Sequence, residues 1–349
     1  MKRMYRPEAG LFAFRLQRHL DGERPEGVSE RYTAIVLIGL IAQTRDISGE
    51  VLDGEDVYSL CGRLLDRAPS MENMGDVALT LWAAVALHHP DAQRALDRLR
   101  ELQPVEKAHP TVEIAWALTA LTIDPQFLTD SQFAEKVAGR LVESFNGRSG
   151  LFAHWPGGVR SWNYRNHVTC FADWVYPVQA LSHYHLLTRS QQAIDVAARS
   201  ADRMCRLQGE GGQWWWHYDV RTGAIIEPYP VYAVHQDAMA PMALLALRDA
   251  CGVDHSEAIH RGLAWLFKPS ERTDSLIDRE AGLIWRKVAR HEPGKLTRGV
   301  QALMSRLHPS VRIPGTGVVF PPCRIDYECR PYHLGWLLYA FPDNPEKVY

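Results

Sequence analysis

Leu207-Gln208-Gly209-Glu210-Gly211-Gly212-Gln213-Trp214-Trp215-Trp216-His217-Tyr218-Asp219, followed by Tyr232-Ala233-Val234-His235-Gln236-Asp237, ends one helix-forming segment, turns on glycine and opens another. The segment before it, residues 190 to 207, has an apolar stripe and a charged face, whereas His235 to Leu247 is apolar on most sides. A helix with one polar face belongs at a surface, and one that is apolar nearly all round belongs inside an assembly. The stretch therefore joins an outer helix to an inner one and gathers aromatics, acids and histidines at the joint.

The same alternation runs the length of the chain. Segments that read as buried are Arg31 to Ala42, Gly75 to Leu87, Thr111 to Leu121, Cys170 to Leu187, His235 to Leu247 and Tyr332 to Phe341. Between them lie amphipathic segments at 55 to 66, 91 to 103, 131 to 145, 190 to 207, 256 to 267 and 295 to 306. Inner helices each paired with an outer one predict an all-α, almost wholly helical (α/α)6 toroid of about six helical hairpins, built as a single domain over residues 1–349. Gly10-Leu11-Phe12, Gly150-Leu151-Phe152, Gly212-Gln213-Trp214, Gly282-Leu283-Ile284-Trp285 and Gly317-Val318-Val319-Phe320 each set an apolar residue after a glycine, as a left-handed turn at a helix end would require. Residues 268 to 294, with Pro269, Pro293 and a mixed-charge run, read as a lid or a solvated excursion, and 308 to 322 hold four prolines, with Pro321-Pro322 forbidding a helix there; neither reads as a linker.

Composition narrows the function classes. Hydrophobic residues at 46% and charged residues at 23% are those of an ordinary globular protein. With 39 Lys+Arg against 41 Asp+Glu the net charge is -2, so no excess of cations points to nucleic acid. The start, Met1-Lys2-Arg3-Met4-Tyr5-Arg6, lacks the apolar run of a secretory signal, and no apolar stretch has the length of a membrane span. Cysteines at 61, 170, 205, 251, 323 and 329 show no CxxC pair, so they are expected reduced and the protein cytoplasmic. Oligomeric state is not legible here.

The run from Ala197 to Gln208, followed by Gly212 and Trp214, resembles the Gln-and-Trp motif of terpenoid cyclases and their protein-prenyltransferase relatives. The resemblance implies that Gln208 ties the end of an outer helix to the turn and that Trp214 packs across it. The Asp-x-Asp-Asp cluster of class II cyclases is absent. Asp326, Cys329 and His333 are the residue types with which prenyltransferases hold zinc, but their spacing departs from that family, so no metal is expected. Six-hairpin glycosidases, polysaccharide lyases and the helical domain of glucuronyl C5-epimerases use the same toroid, and Gly212 to Gln236 is similar in character to the corresponding loop of the epimerases.

In a toroid the inner-helix N-termini and the loops before them surround the central cavity. Candidates there include Tyr32, Asp76, Glu113, His154 and Asp173. An acid at a helix start is also favoured simply by the free amides and the macrodipole, and a lone histidine by core packing. Concentration singles out a narrower set. Asp219, Glu227, Tyr229, His235 and Asp237, with Asp326 and Glu328 at the last hairpin, are the expected acid-base groups. Trp155, Trp162, Trp215, His217, Tyr218, Gln236, Tyr332 and His333 are the expected substrate contacts. Indole faces stack on the C–H faces of sugars, and the acids, amides and histidines bond to hydroxyls.

There is no Walker loop, GxGxxG, HExxH or GxSxG, so no cofactor is implied. The expectation is a soluble carbohydrate-active enzyme that uses acid-base chemistry on a small-molecule or oligosaccharide substrate, a glycan or uronate, as hydrolase, lyase or epimerase. The alternatives are a terpenoid cyclase or prenyl-processing enzyme, and a non-catalytic toroid that binds a glycan or a protein.

Overall fold

Side-chain caps punctuate the chain. Ser29 accepts the amide of Tyr32, Asn73 that of Asp76, Asp130 that of Phe133 and Ser190 that of Ala193, so each following helix starts with one of its free N–H groups satisfied. In chain order the helices are α1 (Glu30–Ile41), α2 (Arg45–Val51), α3 (Val57–Arg67), α4 (Met74–Ala86), α5 (Ala92–Glu101), α6 (Thr111–Thr122) and α7 (Ser131–Val142). They continue with α8 (Ala172–Thr188), α9 (Gln191–Arg206), α10 (Ala240–Cys251), α11 (Ser256–Phe267), α12 (Leu296–Leu307), α13 (Thr316–Val319) and α14 (Pro331–Ala340). The computed structural model describes the chain except residues 128–129, 158–164, 293–295, 309–312 and 343–349.

α1, α4, α6, α8, α10 and α14 pack side by side in that order, and α14 returns to α1 to close a ring. Closure depends on two glycines. A Cβ on Gly39 of α1 would lie 2.2 Å from the carbonyl oxygen of Gly335 on α14, so the two backbones touch where any larger residue would part them. α3, α5, α7, α9 and α11 lie outside the ring, each against its inner partner. The fold is an α/α toroid, and its hairpins follow the predicted alternation closely.

Three features differ from the sequence expectation. First, α12 does not cover α14: it packs on the strand Ile225–Glu227, where its Ala302 meets Val168 and Ile226. Its apolar stripe finds the loop layer at the mouth instead of the ring. Among the described residues α14 has no outer helix.

Second, the chain is not almost wholly helical, because short strands build the loops at the mouth of the ring. Arg15–His19 pairs with Gly22–Glu26 and with Glu328–Cys329, while Val231–Tyr232, Lys287–Ala289 and Arg324–Asp326 form another sheet. Third, the turns at Gly10, Gly150 and Gly282 close two-stranded hairpins rather than helix ends; Gly150, at φ 77°, joins Phe145–Asn146 to Leu151–Phe152.

The ring is not hollow. Trp82, Trp336, Tyr339, Tyr176 and Trp116 form a chain of ring contacts at centroid separations of 5.0 to 5.7 Å. This aromatic filling separates the cavity where the inner helices begin from another, lined by Leu40, Val85, Leu87 and Ile123, where α1, α4 and α6 end. The segment Trp214 to Asp237 holds its shape as the Gln-and-Trp resemblance implies. Gln208 donates to the carbonyls of Gly212 (2.7 Å) and Ala258 (2.9 Å), and the indole N–H of Trp214 donates to Met204 O at 3.2 Å.

Candidate active site

The N-terminal ends of the inner helices are stitched together by side chains around the whole mouth. Arg31 on α1 donates to Asp76 on α4 at 2.6 Å, and Asn73 at the start of α4 donates to Glu113 on α6 at 3.2 Å. The amide of Thr111, opening α6, donates to His154 O at 2.9 Å, and Nδ1 of His154 lies 3.0 and 3.1 Å from the two carboxylate oxygens of Asp173 on α8. Phe171 stacks on His235 at 4.5 Å, Asp237 meets Nε2 of His333 on α14 at 2.7 Å, and the ring of Tyr332 lies 4.7 Å from that of Tyr32 on α1. Six helix starts thus converge on one site.

A cavity of about 360 Å³ opens there, walled by His154, Trp155, Arg165, Cys170, Trp216 and His217 among others. Asp173 is fully buried beneath it and also accepts from the hydroxyl of Thr169 (3.2 Å) and the amide of Cys170 (2.9 Å). Burial pulls the proton affinity of His154 down, but the charge and hydrogen bond of Asp173, helped by Glu113, carry it above the ordinary histidine value. His154, in the cavity wall, therefore keeps its proton to higher pH than an ordinary histidine. His217 behaves in the opposite way: burial, then the cationic field of Arg165 and Arg298, push it well below that value.

The residues predicted as acid-base groups separate under the geometry. Asp219 is fully buried in a two-point ion pair with Arg221, at 2.7 and 3.0 Å, and accepts the Arg221 amide as well. Glu227 is paired with Arg290 at 2.9 Å, and the hydroxyl of Tyr229 donates to Glu271 at 2.9 Å. Asp326 pairs with Lys287 at 2.9 Å, and Glu328 lies between Arg330, Arg286 (3.2 Å) and Arg15 (3.4 Å). These acids anchor mouth loops. Asp237 and His235 do lie at the mouth: Asp237 is held by His333, and burial depresses His235 to about 3, leaving it neutral. Both sit in a π-helical turn, His235–Met239, whose widened backbone no sequence pattern announced.

Among the expected substrate contacts, Trp155 and His217 line the cavity. Tyr332 stands beside Tyr32, whose hydroxyl receives Arg330 at 2.7 Å. Trp215 packs against Tyr229, 5.9 Å away. Tyr218 and Gln236 are structural: Tyr218 is buried against Trp174 and accepts the Trp215 amide, and Gln236 bonds both the amide and the carbonyl of Trp214. Trp162 lies outside the described residues.

Asp173 and Glu113 are acids at helix starts, which the free amides and the macrodipole explain without any ligand, and His154 is a lone loop histidine, so local sequence does not set the three apart. Trp216, a cavity wall residue, was passed over beside its two neighbouring tryptophans. Asp326, Cys329 and His333 do not bring their donor atoms together: Asp326 is held by Lys287 and His333 by Asp237. Among the described residues the group with metal-binding donors close together is His154, Cys170 and Asp173, whose ligand atoms lie within 4.8 Å of one another. Burial and then Asp173 raise the Cys170 thiol far above its usual range, so it is a neutral S–H. All six cysteines are unpaired, and no helix among the described residues is long and apolar enough to cross a membrane.

No protein family's sequence profile matches the chain, and no curated protein matches it in sequence. Its fold is nonetheless that of known structures. An unsaturated glucuronyl hydrolase specific for heparin superposes with a TM-score of 0.58 at 13% identity, over 97% of this chain and 91% of that one. The unsaturated glucuronyl hydrolase of Streptococcus agalactiae gives a TM-score of 0.60 at 10% identity, over 95% and 85% of the two chains. A possible member of glycoside hydrolase family 105 from Klebsiella pneumoniae gives 0.58 at 12% identity, over 100% and 91%. At such identities the likeness is one of fold, the six-hairpin α/α toroid.

Proposed function

We propose that this chain is a carbohydrate-active hydrolase that cleaves a glycosidic bond in a short oligosaccharide held in the mouth cavity. The reading is carried by one observation: a His154–Asp173 dyad opens onto a cavity whose wall also holds Trp155 and Trp216. The indoles offer platforms for sugar C–H faces, and the dyad offers a proton. At about 360 Å³ the cavity lies at the small end of ligand sites, which suits a short chain of sugars.

Glycoside cleavage requires a proton for the departing oxygen and a base for water. In this reading His154, kept protonated by Asp173, donates to the glycosidic oxygen as the bond to the anomeric carbon breaks. Glu113, close enough for its charge to act on His154 and held by Asn73 and Arg31, takes a proton from the water that adds to that carbon. Asp76 and Arg31 fix Glu113 in place. Asp237 with His333 forms the opposite arc of the mouth and orients sugar hydroxyls. The fold likeness to glucuronyl hydrolases supports the class by analogy alone, since fold does not fix function. An isoprenoid substrate fits poorly, because Arg165, Asn166, His154 and His217 make the wall polar.

The test is turnover on a panel of unsaturated uronyl disaccharides, neutral oligosaccharides and an isoprenoid diphosphate, followed by reducing-sugar release. Expected are hydrolysis of a disaccharide and a loss of ~10²–10⁴-fold in His154→Ala and Glu113→Gln. Turnover of the isoprenoid alone, or undiminished hydrolysis by both variants, overturns the reading.

A further inference from the structure

The cavity at the far end of the ring is larger than the one at the mouth, at about 530 Å³. α1, α4 and α6 end around it, and Leu40, Val85, Leu87 and Ile123, in or next to their last turns, give it an apolar wall. Another part of the wall comes from α2, which belongs neither to the ring nor to the outer layer and contributes Arg45 and Ser48. Of its own residues α2 buries only Ser48, so it adds a wall to the cavity and little to the core.

Gln43, just past the end of α1, lines the same cavity. It is 5% exposed, and its amide nitrogen is buried without a hydrogen-bond partner. A buried donor left unmatched costs stability, and most buried polar groups avoid that state. The last torsion of a glutamine side chain is broad, so its N–H can turn towards an acceptor brought into the cavity. Arg45 is exposed and, among the described residues, forms no ion pair. The acid of the lining is already engaged: Asp124 lies 3.1 Å from Nδ1 of His88 and accepts the amide of Gln126 at 2.9 Å. An apolar wall with one unmatched donor and one unpaired cation suits a ligand that has a hydrocarbon body and an acceptor at one end. The carbonyl ends of the helices disfavour an anion far from Arg45, so the charged end belongs beside that guanidinium.

We propose that this cavity binds a small amphipathic carboxylate, its hydrocarbon body against Leu40, Val85, Leu87 and Ile123 and its carboxylate oxygens held by Gln43 and Arg45. The aromatic filling of the ring stands between this site and the cavity of His154, so the two are separable by mutation.

Isothermal titration of the full chain with octanoate, octanamide and octylamine tests this. Octanoate is expected to bind at least ~10-fold more tightly than octanamide, with octylamine the weakest of the three. Arg45→Gln should bring octanoate down to the affinity of octanamide. Gln43→Leu should weaken both by ~10-fold while raising the melting temperature of the free protein, because it removes an unmatched amide from a buried place. A glutamine with a purely structural role would not couple lost affinity to gained stability. Trp216→Ala, which alters only the mouth, should leave octanoate binding unchanged. Binding of neither octanoate nor octanamide overturns the proposal, as does equal binding of the two. Octanoate affinity that survives both Arg45→Gln and Gln43→Leu, or a destabilised Gln43→Leu protein that binds normally, overturns it as well.

Discussion

Asp173, without solvent exposure, receives Nδ1 of His154 at 3.0 Å from directly beneath the cavity. The buried charge has two consequences, one for protonation and one for turnover. Since Asp173 with Glu113 lifts His154 above the ordinary histidine value of 6.5, the Asp173→Asn protein should show His154 titrating at lower pH by nuclear magnetic resonance. The sign for stability follows: a raised folded value gives stabilisation that is complete below the unfolded value and lost as pH rises through the folded one. Wild-type melting temperature should fall across that interval relative to Asp173→Asn. An unchanged His154 titration curve would show that the pair does not act electrostatically.

His235 runs the other way. Burial holds it neutral down to about pH 3, whereas in the unfolded chain it takes up a proton near its ordinary value of 6.5. Stability is therefore lost as pH falls from about 6.5 towards 3. His235→Phe, which keeps the stack on Phe171, is expected to unfold at lower pH than wild type in an acid titration followed by circular dichroism. An acid midpoint that does not move would assign acid sensitivity to another group.

Ring closure should be the least tolerant contact of the fold. Gly39→Ala would put a methyl into the carbonyl of Gly335, which is backbone and has no rotamer to yield. A loss of at least ~1–3 kcal/mol is expected, read from chemical denaturation. Gly49→Ala, where nothing lies within 4 Å, serves as the control and should cost little. Equal stability of the two variants would mean that α1 and α14 do not meet as described.

The acids of the mouth loops and those of the cavity should respond differently to charge removal. Asp219→Asn leaves Arg221 facing a neutral amide, so a loss of about 1–3 kcal/mol is expected with little direct effect on turnover. Glu113→Gln should cost turnover with a small change in melting temperature. A strong turnover defect in a fully folded Asp219→Asn protein would return that residue to the catalytic set.

Trp214 and Trp216, two positions apart, should separate structure from binding. Trp214 is fully buried and tied to Met204, so Trp214→Ala is expected to cost ~3–5 kcal/mol. Trp216→Ala should fold and lose affinity for sugar ligands, measured by titration calorimetry. Unaltered affinity in Trp216→Ala would remove the platform from the cavity wall.

Alternating buried and amphipathic segments dictated the toroid by themselves, because hydrophobic periodicity is a local property that survives without knowledge of partners. Gln208 and Trp214 were legible for the same reason: their role is to close a single turn. The site was only half legible. Sequence concentration drew attention to Asp219, Glu227, Asp326 and Glu328, yet which acids stand free depends on where Arg221, Arg290, Lys287 and Arg286 fall after folding, up to 63 residues away along the chain in the case of Arg290. Asp173 and Glu113 look like ordinary helix-start acids and His154 like a lone loop histidine, and only the ring, by turning six N-termini to one mouth, sets them together. α12 shows the same limit: its stripe fixed that it is a helix with something to bury, while the loop layer at the mouth, assembled from distant strands, decided what it buries against.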